Sequence, residues 1–296
     1  MLDKNWKIYS ILFTLIFLWG LFFGISSVLM NENFWFSAYD VTKHDQTLWL
    51  LSQGETPFNT IRGLHAFGDH AHFILIPLSI VYHIFPSIDF FLFITPFFRG
   101  LAVFGIFLIA KEKLKNNHYA LLAAILMLLN PAFSNVNLDH FYPETWATTT
   151  LVFAFYFSVV RVRWWIYYIL ICLTLLMKED TPLILFMLGL YLFFVEKKRL
   201  HGAVTSVISG LYFFIAIKLI LHFADSYTVF KGGGQMGGIL ENILNFNFYL
   251  QRFSDPLFLK YLLHISTPLL FLFLIHPLPL LIALPSIAAN MLSGWP

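Results

Sequence analysis

The sequence predicts an all-α, polytopic transmembrane helical bundle, for three reasons. Apolar residues make up 59% of the 296 residues and charged residues only 11%, whereas soluble domains carry roughly a quarter charged residues. Long uncharged runs recur, several of them near the ~20 residues that cross a bilayer as a helix. Polar residues are concentrated in a few short segments between these runs. We therefore expect one transmembrane domain over residues 1–296, with membrane lipid as a partner. The net charge of only +2 gives no reason to expect a nucleic-acid partner.

The first apolar run, residues 8–29, predicts a first span that is not cleaved. Lys4 and Lys7 precede it, as they would a secretory signal. Its apolar core is longer than the roughly 7–15 residues of a signal peptide, and no small-x-small cleavage site follows. Further spans are predicted over residues 88–110, 119–136, 146–160, 164–177, 183–195, 204–223, 257–275 and 278–292. Several of these runs are shorter than a bilayer requires, which predicts tilted packing or local thinning.

Two longer polar segments separate the spans. Residues 31–72 form a predicted outer loop, in which residues 39–54 have the polar start and apolar end of a surface helix. Residues 73–85 are apolar but too short to cross, which favours a half-helix that enters the membrane. Residues 224–256 form a second predicted outer loop with a surface helix over 239–253. The chain ends at Pro296 just after an apolar run, so we expect it to be the N-terminal part of a longer protein.

Basic residues set the expected orientation. With the N-terminus in the cytoplasm, the lysines of 111–115, the arginines of 161–163 and the basic cluster 197–199 all face inward, as the positive-inside rule requires. We therefore predict a multi-pass protein of the cell membrane. Four polar segments then fall on the outer face, where we expect them to meet in one pocket. These segments contain Asp40 and Asp45, residues 69–72, residues 139–144 and residues 178–180.

Asp40 and Asp45 are candidate catalytic residues in the first loop. Five helical residues rotate by about 140°, so the two carboxylates do not share a face as an i, i+4 pair does. One can act as a base or bind a metal while the other caps the helix or pairs with Lys43. A local interpretation is equally open, in which Asp40 is the N-cap and Asp45 is a solvated charge.

Two further segments carry histidine next to acids. Asp69 and His70 have side chains that ligate divalent metals, although water or lipid headgroups can also satisfy them. His140 and Glu144 lie at the mouth of two spans and can hold a sugar or an anionic substrate. Glu144 can equally start a helix, because it follows Pro143.

Lys178, Glu179 and Asp180 are three consecutive charges between apolar runs. A lysine here can neutralise a phosphate while the neighbouring acids orient it, and the alternative is a tight external turn that faces water. Arg99 and Lys218 lie within predicted spans, where an unpaired cation is costly. Both are candidate partners of a phosphate or carboxylate, although Lys218 can also snorkel to the interface.

The order of these motifs resembles the predicted membrane protein family catalogued as domain of unknown function 2079. The matching residues are Tyr39-Asp40, His44-Asp45-Gln46, Gly54, Gly68-Asp69-His70, Pro77, Asn130-Pro131, Asp139-His140, Pro143-Glu144 and Lys178-Glu179-Asp180. The resemblance extends from Tyr39 to the end of the chain. The sequence departs from the family pattern in having His44 before Asp45, and in separating His140 from Pro143 by two residues.

That family is similar to the GT-C glycosyltransferases, polytopic enzymes that take a sugar from a polyprenyl-phosphate donor at the outer face of the membrane. The resemblance implies a GT-C-like bundle with surface helices in the first outer loop. It also implies an acid in that loop that acts as general base or binds metal. Asp45, followed by Gln46, matches that position best, and Asp40 is second.

The resulting hypothesis is a lipid-linked sugar transferase that inverts the sugar carbon. Asp45 would deprotonate the acceptor hydroxyl, and Lys178, together with Arg99, would bind the phosphate that leaves with the lipid. The remaining candidates for substrate contact, acceptor-site shape or a divalent metal are Gln46, Asp69, His70, Asp139, His140, Glu144, Glu179 and Asp180. Two other functions are open: a transporter or flippase of an anionic lipid or small anion, lined by Arg99 and Lys218, and a non-catalytic membrane scaffold.

Overall fold

The structure is a computed structural model that describes residues 6–224, 245–267, 271–275 and 277–292. Nearly all regular structure in these residues is helical, which confirms the all-α prediction. The helices are α1 (Trp6–Glu32), α2 (Ala38–Ser52), α3 (Ala66–Asp69), α4 (Leu75–Ile84), α5 (Ile88–Leu114), α6 (Asn117–Leu128), α7 (Pro131–Ser134), α8 (Ala147–Phe155), α9 (Trp164–Leu175), α10 (Thr181–Phe194), α11 (Arg199–Phe223), α12 (Phe246–Ser254), α13 (Pro256–Ser266) and α14 (Leu280–Leu292). Two strands of two residues each, β1 (Phe58–Asn59) and β2 (Leu64–His65), complete the described fold with 3-10 turns at Asn135–Leu138, Pro143–Trp146 and Leu272–Leu274 and a π-helical turn at Tyr156–Val160.

The chain divides into two compact units. Unit 1 contains Met1–Gly63 and His72–Met177, and unit 2 contains Leu64–Ala71 and Lys178–Pro296. The short segment Leu64–Ala71 therefore belongs with the C-terminal half of the chain, although it lies within the predicted first outer loop.

Three helices in the described part of the chain are long and apolar enough to cross a membrane, namely α1, α5 and α11. Each contains a span predicted from sequence. The helices α4, α9, α10 and α14 are apolar but shorter, in line with the short predicted runs. The ten residues of α4 extend over about 15 Å, about half the hydrocarbon thickness, so they form a half-length helix as expected for residues 73–85.

The apolar run predicted as a span over residues 119–136 is broken by a bend. Helix α6 ends at Leu128, and the chain bends by 62° into Pro131–Leu138. The cause is Asn130, whose Oδ1 accepts a 2.9 Å hydrogen bond from the backbone N–H of Ala132, while Pro131 starts the new turn. An asparagine cap followed by proline begins a helix and cannot continue one.

In unit 1, α1 and α5 pack closely through glycine. A Cβ atom at Gly20 would lie 2.8 Å from Cδ1 of Phe97, and one at Gly24 would lie 2.8 Å from the carbonyl oxygen of Phe93. Both distances are shorter than real Cβ contacts, so these positions exclude larger side chains. The apolar side of α2 is also buried, with Leu48 fully enclosed in a core shared with α4 and the start of α5. This packing fixes the rotation of α2 and hence the directions of its polar side chains.

In unit 2, α10 and α11 form a tight hairpin. A Cβ atom at Gly202 would lie 2.6 Å from the backbone nitrogen of Phe193. The segment containing α3 packs on the end of α11, where a Cβ atom at Gly68 would lie 2.7 Å from the backbone nitrogen of Ala224. The His65 ring stacks on Phe223 with centroids 4.1 Å apart. These contacts explain why Leu64–Ala71 belongs to unit 2.

The second predicted outer loop is described only in part, because residues 225–244 lie outside the described residues. The described part of the surface helix predicted over 239–253 is helical: α12 begins at Phe246 after Asn245, whose side chain accepts from the N–H of Phe248. Its position at a membrane surface stays a prediction. The described part of the span predicted over 257–275 consists of α13 and the turn Leu272–Leu274.

Candidate functional site

Helix α2 carries both candidate catalytic carboxylates. Its N-cap is Ser37, whose Oγ accepts from the N–H of Tyr39. The alternative in which Asp40 is the N-cap is therefore wrong. Asp40 lies in the first turn, where a negative charge interacts favourably with the helix dipole.

The Asp40 carboxylate lies beside two basic side chains. Its Oδ1 lies 2.9 Å from Nζ of Lys43, and its Oδ2 lies 3.6 Å from Nε2 of His140. Tyr142 is close enough for the negative charge of Asp40 to raise the pKa of its hydroxyl. Lys43 and His140 are largely buried. Asp40 thus links the first loop to the turn that follows the bend after α6.

Tyr142 is a member of this group that the sequence did not indicate. Burial raises the pKa of its phenol, and the negative charges of Asp40, Asp139 and Glu144 raise it further. The hydroxyl therefore keeps its proton and acts as a donor at neutral pH. Its only sequence signal is its position between His140 and Glu144.

His140 lies between two carboxylates. Its Nε2 is 3.4 Å from Oδ1 of Asp139 as well as 3.6 Å from Asp40. The backbone N–H of His140 also donates to Asp139 at 2.8 Å. The other ring nitrogen, Nδ1, is buried and has no hydrogen-bond partner among the described residues. The imidazole is thus positioned by Asp40 and Asp139 at one nitrogen only.

Glu144 extends the group toward two more histidines. Its Oε2 lies 3.2 Å from Nε2 of His72, and the His72 ring lies 5.4 Å from that of His44. Both histidines are almost fully buried. We refer to the whole group as the polar cluster of unit 1: Asp40, Lys43, His44, His72, Asp139, His140, Tyr142 and Glu144.

Asp45 has a different set of partners. The Tyr82 hydroxyl on α4 donates a 2.7 Å hydrogen bond to its Oδ1. Burial raises the pKa of Asp45; the Tyr82 hydrogen bond opposes this and the negative charge of Asp89 adds to it, leaving the pKa above its ordinary value. The rotation between positions 40 and 45 is the reason that the two carboxylates differ.

Gln46 supports the loop after α2. Its Oε1 accepts from both the N–H of Thr60, at 3.0 Å, and the Thr60 hydroxyl, at 3.2 Å. The side-chain amide of Asn59 donates to the carbonyl oxygen of Lys43 at 3.1 Å. These bonds anchor the turn at residues 59–62 on α2. A contact between Gln46 and substrate stays a prediction.

Arg99 is bound by protein acceptors in unit 1. Its Nη1 donates to Oδ1 of Asn137 at 2.5 Å, and Nη2 donates to the carbonyl oxygen of Phe133 at 2.7 Å. The guanidinium also lies 4.6 Å from the centroid of the Phe133 ring. These contacts compensate for burying a cation in an apolar helix and brace α5 against the bent segment. Its phosphate-binding role stays a prediction.

In unit 2, Glu179 fastens the segment Leu64–Ala71. Its Oε1 lies 2.8 Å from Nδ1 of His70, and its Oε2 accepts from the N–H of Ala71 at 3.0 Å. Burial lowers the pKa of His70, but the charge and hydrogen bond of Glu179 outweigh this effect and leave the pKa raised. Both oxygens of Glu179 are thus engaged within unit 2.

Lys178 and Asp180 flank this carboxylate in the turn that starts α10. The carbonyl oxygen of Lys178 accepts from the Thr181 hydroxyl at 2.9 Å. Asp180 immediately precedes α10 but makes no side-chain cap. The chain does turn here, but the alternative in which these charges only face water does not fit Glu179, whose side chain is 12% exposed. Phosphate binding by Lys178 stays a prediction.

Among the described residues, the His, Cys, Asp and Glu side chains form no group that fits a divalent metal. Nowhere in them are three His, Cys, Asp or Glu side chains grouped as a metal site, and His70 is paired with Glu179. A metal at Asp69 and His70 stays a prediction.

Comparison with known proteins identifies the family. A family model described as predicted membrane protein (DUF2079) matches residues 31–296. The chain belongs to this family. The DUF2079 match includes every member of the polar cluster as well as Asp45 and Glu179, and it supports a location in the membrane. No curated protein and no solved structure matched the chain. DUF2079 is a family of unknown function, so the activity has to be argued from the residues.

Proposed function

We propose that this DUF2079 protein is a GT-C-type glycosyltransferase that uses a polyprenyl-phosphate-linked sugar at the outer face of the membrane. The observation that carries the proposal is Asp45, a partly buried carboxylate with a raised pKa that Tyr82 holds in place. Carboxylates whose pKa is raised by burial are common among catalytic bases. The polar cluster, whose members Asp40, Lys43 and His44 lie on the same helix, supplies the other polar groups that a sugar would need.

The reaction begins when Asp45 takes the proton of an acceptor hydroxyl. The acceptor oxygen forms a bond to the anomeric carbon on the face opposite the donor phosphate. The bond between that carbon and the phosphate oxygen breaks, and its electron pair leaves with the polyprenyl phosphate. One bond forms and one breaks on opposite faces, so the anomeric configuration inverts.

The raised pKa suits Asp45 to this role. A base accepts a proton more readily as its pKa approaches the working pH, and burial moves Asp45 in that direction. The Tyr82 hydroxyl occupies Oδ1 and fixes the carboxylate plane. The other oxygen, Oδ2, would then receive the proton.

The polar cluster is proposed to recognise sugar hydroxyls. Each hydroxyl both donates and accepts a hydrogen bond, so a sugar site needs donors and acceptors side by side. Lys43, His140 and Tyr142 are donors around the carboxylate of Asp40. Glu144 beside His72 repeats the arrangement.

Lys178, in unit 2, stays a candidate phosphate ligand, because a positive charge stabilises negative charge on a phosphate. Glu179 has both oxygens engaged by His70 and Ala71. We therefore assign Glu179 to positioning this turn and not to substrate contact.

The test is donor consumption by the purified protein in lipid vesicles. We expect mass spectrometry to find polyprenyl phosphate co-purifying with the protein, and its release to increase when polyprenyl-phosphate-linked sugars and an acceptor are added. Glu112→Gln is the matched control, since Glu112 is an exposed acid of unit 1 whose one ion pair within the described residues is with exposed Lys115. The proposal would be overturned if no polyprenyl phosphate co-purified and no donor in a panel of polyprenyl-phosphate-linked sugars were consumed.

A further inference from the structure

Helix α12 has three distinct faces. Phe248, Tyr249 and Arg252 are partly buried, and Arg252 lies over the Phe248 ring at 5.6 Å. A second face is apolar and open: Phe246 is 75% exposed, and Leu250 and Phe253 are each 55% exposed. The third face, with Asn247, Gln251 and Ser254, is polar and exposed.

The spacing explains this division. At 100° per residue, positions 246, 250 and 253 fall within an arc of about 60°. Positions 247, 251 and 254 fall within a neighbouring arc of about the same width. One helix therefore presents a compact apolar stripe and a compact polar stripe side by side, both uncovered by the described residues.

Helix α13 also exposes apolar side chains. Asp255 ends α12 and caps α13, its Oδ1 accepting from the N–H of Leu257 at 2.8 Å. On α13, Leu257, Leu259 and Leu263 are 51%, 59% and 45% exposed. Lys260 is exposed among these leucines, and a long lysine side chain can keep its stem in an apolar layer while its amine reaches the headgroups.

We infer that the exposed apolar stripe of α12, together with the exposed leucines of α13, binds the boundary between lipid headgroups and acyl chains. The nine residues of α12 cover about 14 Å, too little to cross a bilayer core of about 30 Å. One face of α12 packs on protein, the second is apolar and the third is polar. A short helix of this kind fits the membrane–water interface, where it lies along the membrane plane. Lys260 adds attraction to anionic headgroups.

Site-directed spin labelling of the whole chain tests this inference. Cys172 is the single cysteine, so Cys172→Ser provides a cysteine-free background. Single cysteines replace Phe246, Leu250 or Phe253 on the apolar stripe, and Asn247, Gln251 or Ser254 on the polar stripe. Each labelled protein is placed in vesicles of phosphatidylcholine and phosphatidylglycerol, and power saturation is measured with oxygen and with a water-soluble nickel complex.

The expected result is a helical alternation. Labels at 246, 250 and 253 collide several-fold more with oxygen than with nickel, and labels at 247, 251 and 254 show the reverse. Equal nickel access at Leu250→Cys and Gln251→Cys would overturn the inference by placing the stripe in water. Exclusion of both reagents from 246, 250 and 253 would overturn it by indicating a protein surface, such as a second copy.

A second readout covers the case in which a spin label disturbs the helix. The same cysteines carry a small bimane fluorophore, and the vesicles contain phospholipids with a nitroxide on the upper acyl chain. We expect at least twofold stronger quenching at Leu250→Cys than at Gln251→Cys. Equal quenching at these neighbouring positions would contradict a lipid-facing stripe.

Discussion

The hydroxyl of Tyr82 donates a 2.7 Å hydrogen bond to Oδ1 of Asp45, joining α4 to α2. This bond stabilises the charged carboxylate and so opposes the rise in pKa that burial causes. It predicts a specific pH effect. In Tyr82→Phe the pKa of Asp45 rises further, so more of the base is protonated at a given pH.

We therefore expect Tyr82→Phe to move the acidic limb of the pH–rate profile to higher pH. A hydrogen bond to a charged group contributes roughly 1.5 kcal/mol, so the rate on the acidic side should fall about tenfold. The comparison is Tyr119→Phe, an exposed tyrosine of unit 1, whose profile should match the wild type. An unchanged acidic limb in Tyr82→Phe would show that Asp45 is not the group whose titration controls the rate.

Asp45 should also lower stability at neutral pH. Burial raises the pKa of Asp45 in the folded state above its ordinary 3.8. Any contribution of the protonated carboxyl to the stability of the fold is therefore complete below pH 3.8, and it is lost as the pH rises through the folded-state pKa. Asp45→Asn removes the charge and keeps an oxygen that can accept from Tyr82. We expect its Tm in detergent at pH 7 to equal or exceed that of the wild type, and the difference to shrink toward pH 4. A clearly lower Tm at pH 7 would contradict the raised pKa.

Arg99 is predicted to be a structural residue. Lysine cannot reproduce the forked contact with Asn137 and Phe133, so Arg99→Lys should cost about 2–4 kcal/mol and lower the Tm. We expect the KM for the sugar donor to stay unchanged in protein that remains folded. A raised donor KM with an unchanged Tm would instead support the phosphate-binding role.

Glu179 is predicted to hold the segment Leu64–Ala71 in place. The pKa of His70 is raised above 6.5 in the folded state. Its ion pair with Glu179 therefore contributes fully to the stability of the fold below about pH 6.5, and this contribution falls as the pH rises through the folded-state pKa of His70. Hydrogen bonds to charged groups contribute about 1.5–3 kcal/mol. We therefore expect Glu179→Gln to accelerate amide exchange in residues 64–71 by about 10- to 100-fold at pH 6.

A matched variant tests whether the effect of Glu179 is local. Glu196, also in unit 2, pairs with Lys198 and accepts from Tyr191. Glu196→Gln should leave exchange in residues 64–71 unchanged. If both variants leave that exchange unchanged, Glu179 does not anchor the segment.

Uncharged apolar runs were enough to predict the long helices. The runs at 8–29 and 88–110 lie within α1 and α5 because nothing in them interrupts the helix. Residues 119–136 are also apolar, but Asn130 and Pro131 bend the chain there. Hydrophobicity alone does not report this bend, although the Asn130-Pro131 cap is visible in the sequence.

Residue type is enough to indicate the candidate site residues in the sequence, but it does not indicate which side chains they contact. Asp40, His140 and Glu144 lie in segments singled out from the sequence, and the structure brings them into one cluster. The pairing of Asp45 with Tyr82 and that of Glu179 with His70 join positions far apart in the chain. No periodicity or spacing reports such contacts, because tertiary packing alone creates them.

The expected orientation has its own test in a Cys172→Ser background. Glu55→Cys after α2 and Lys113→Cys near the end of α5 replace exposed residues. With the N-terminus in the cytoplasm, a membrane-impermeant maleimide added to intact cells should label position 55 and not position 113. The reverse pattern would put the proposed base on the cytoplasmic face.

The most direct measurement is the rate at which vesicle-bound protein releases polyprenyl phosphate from a sugar donor, compared between the wild type and Asp45→Asn. Removing a general base typically costs 10²- to 10⁴-fold. We predict a loss in that range for Asp45→Asn, with Glu112→Gln at the wild-type rate. Equal release by the wild type and Asp45→Asn would contradict the assignment of Asp45 as the base.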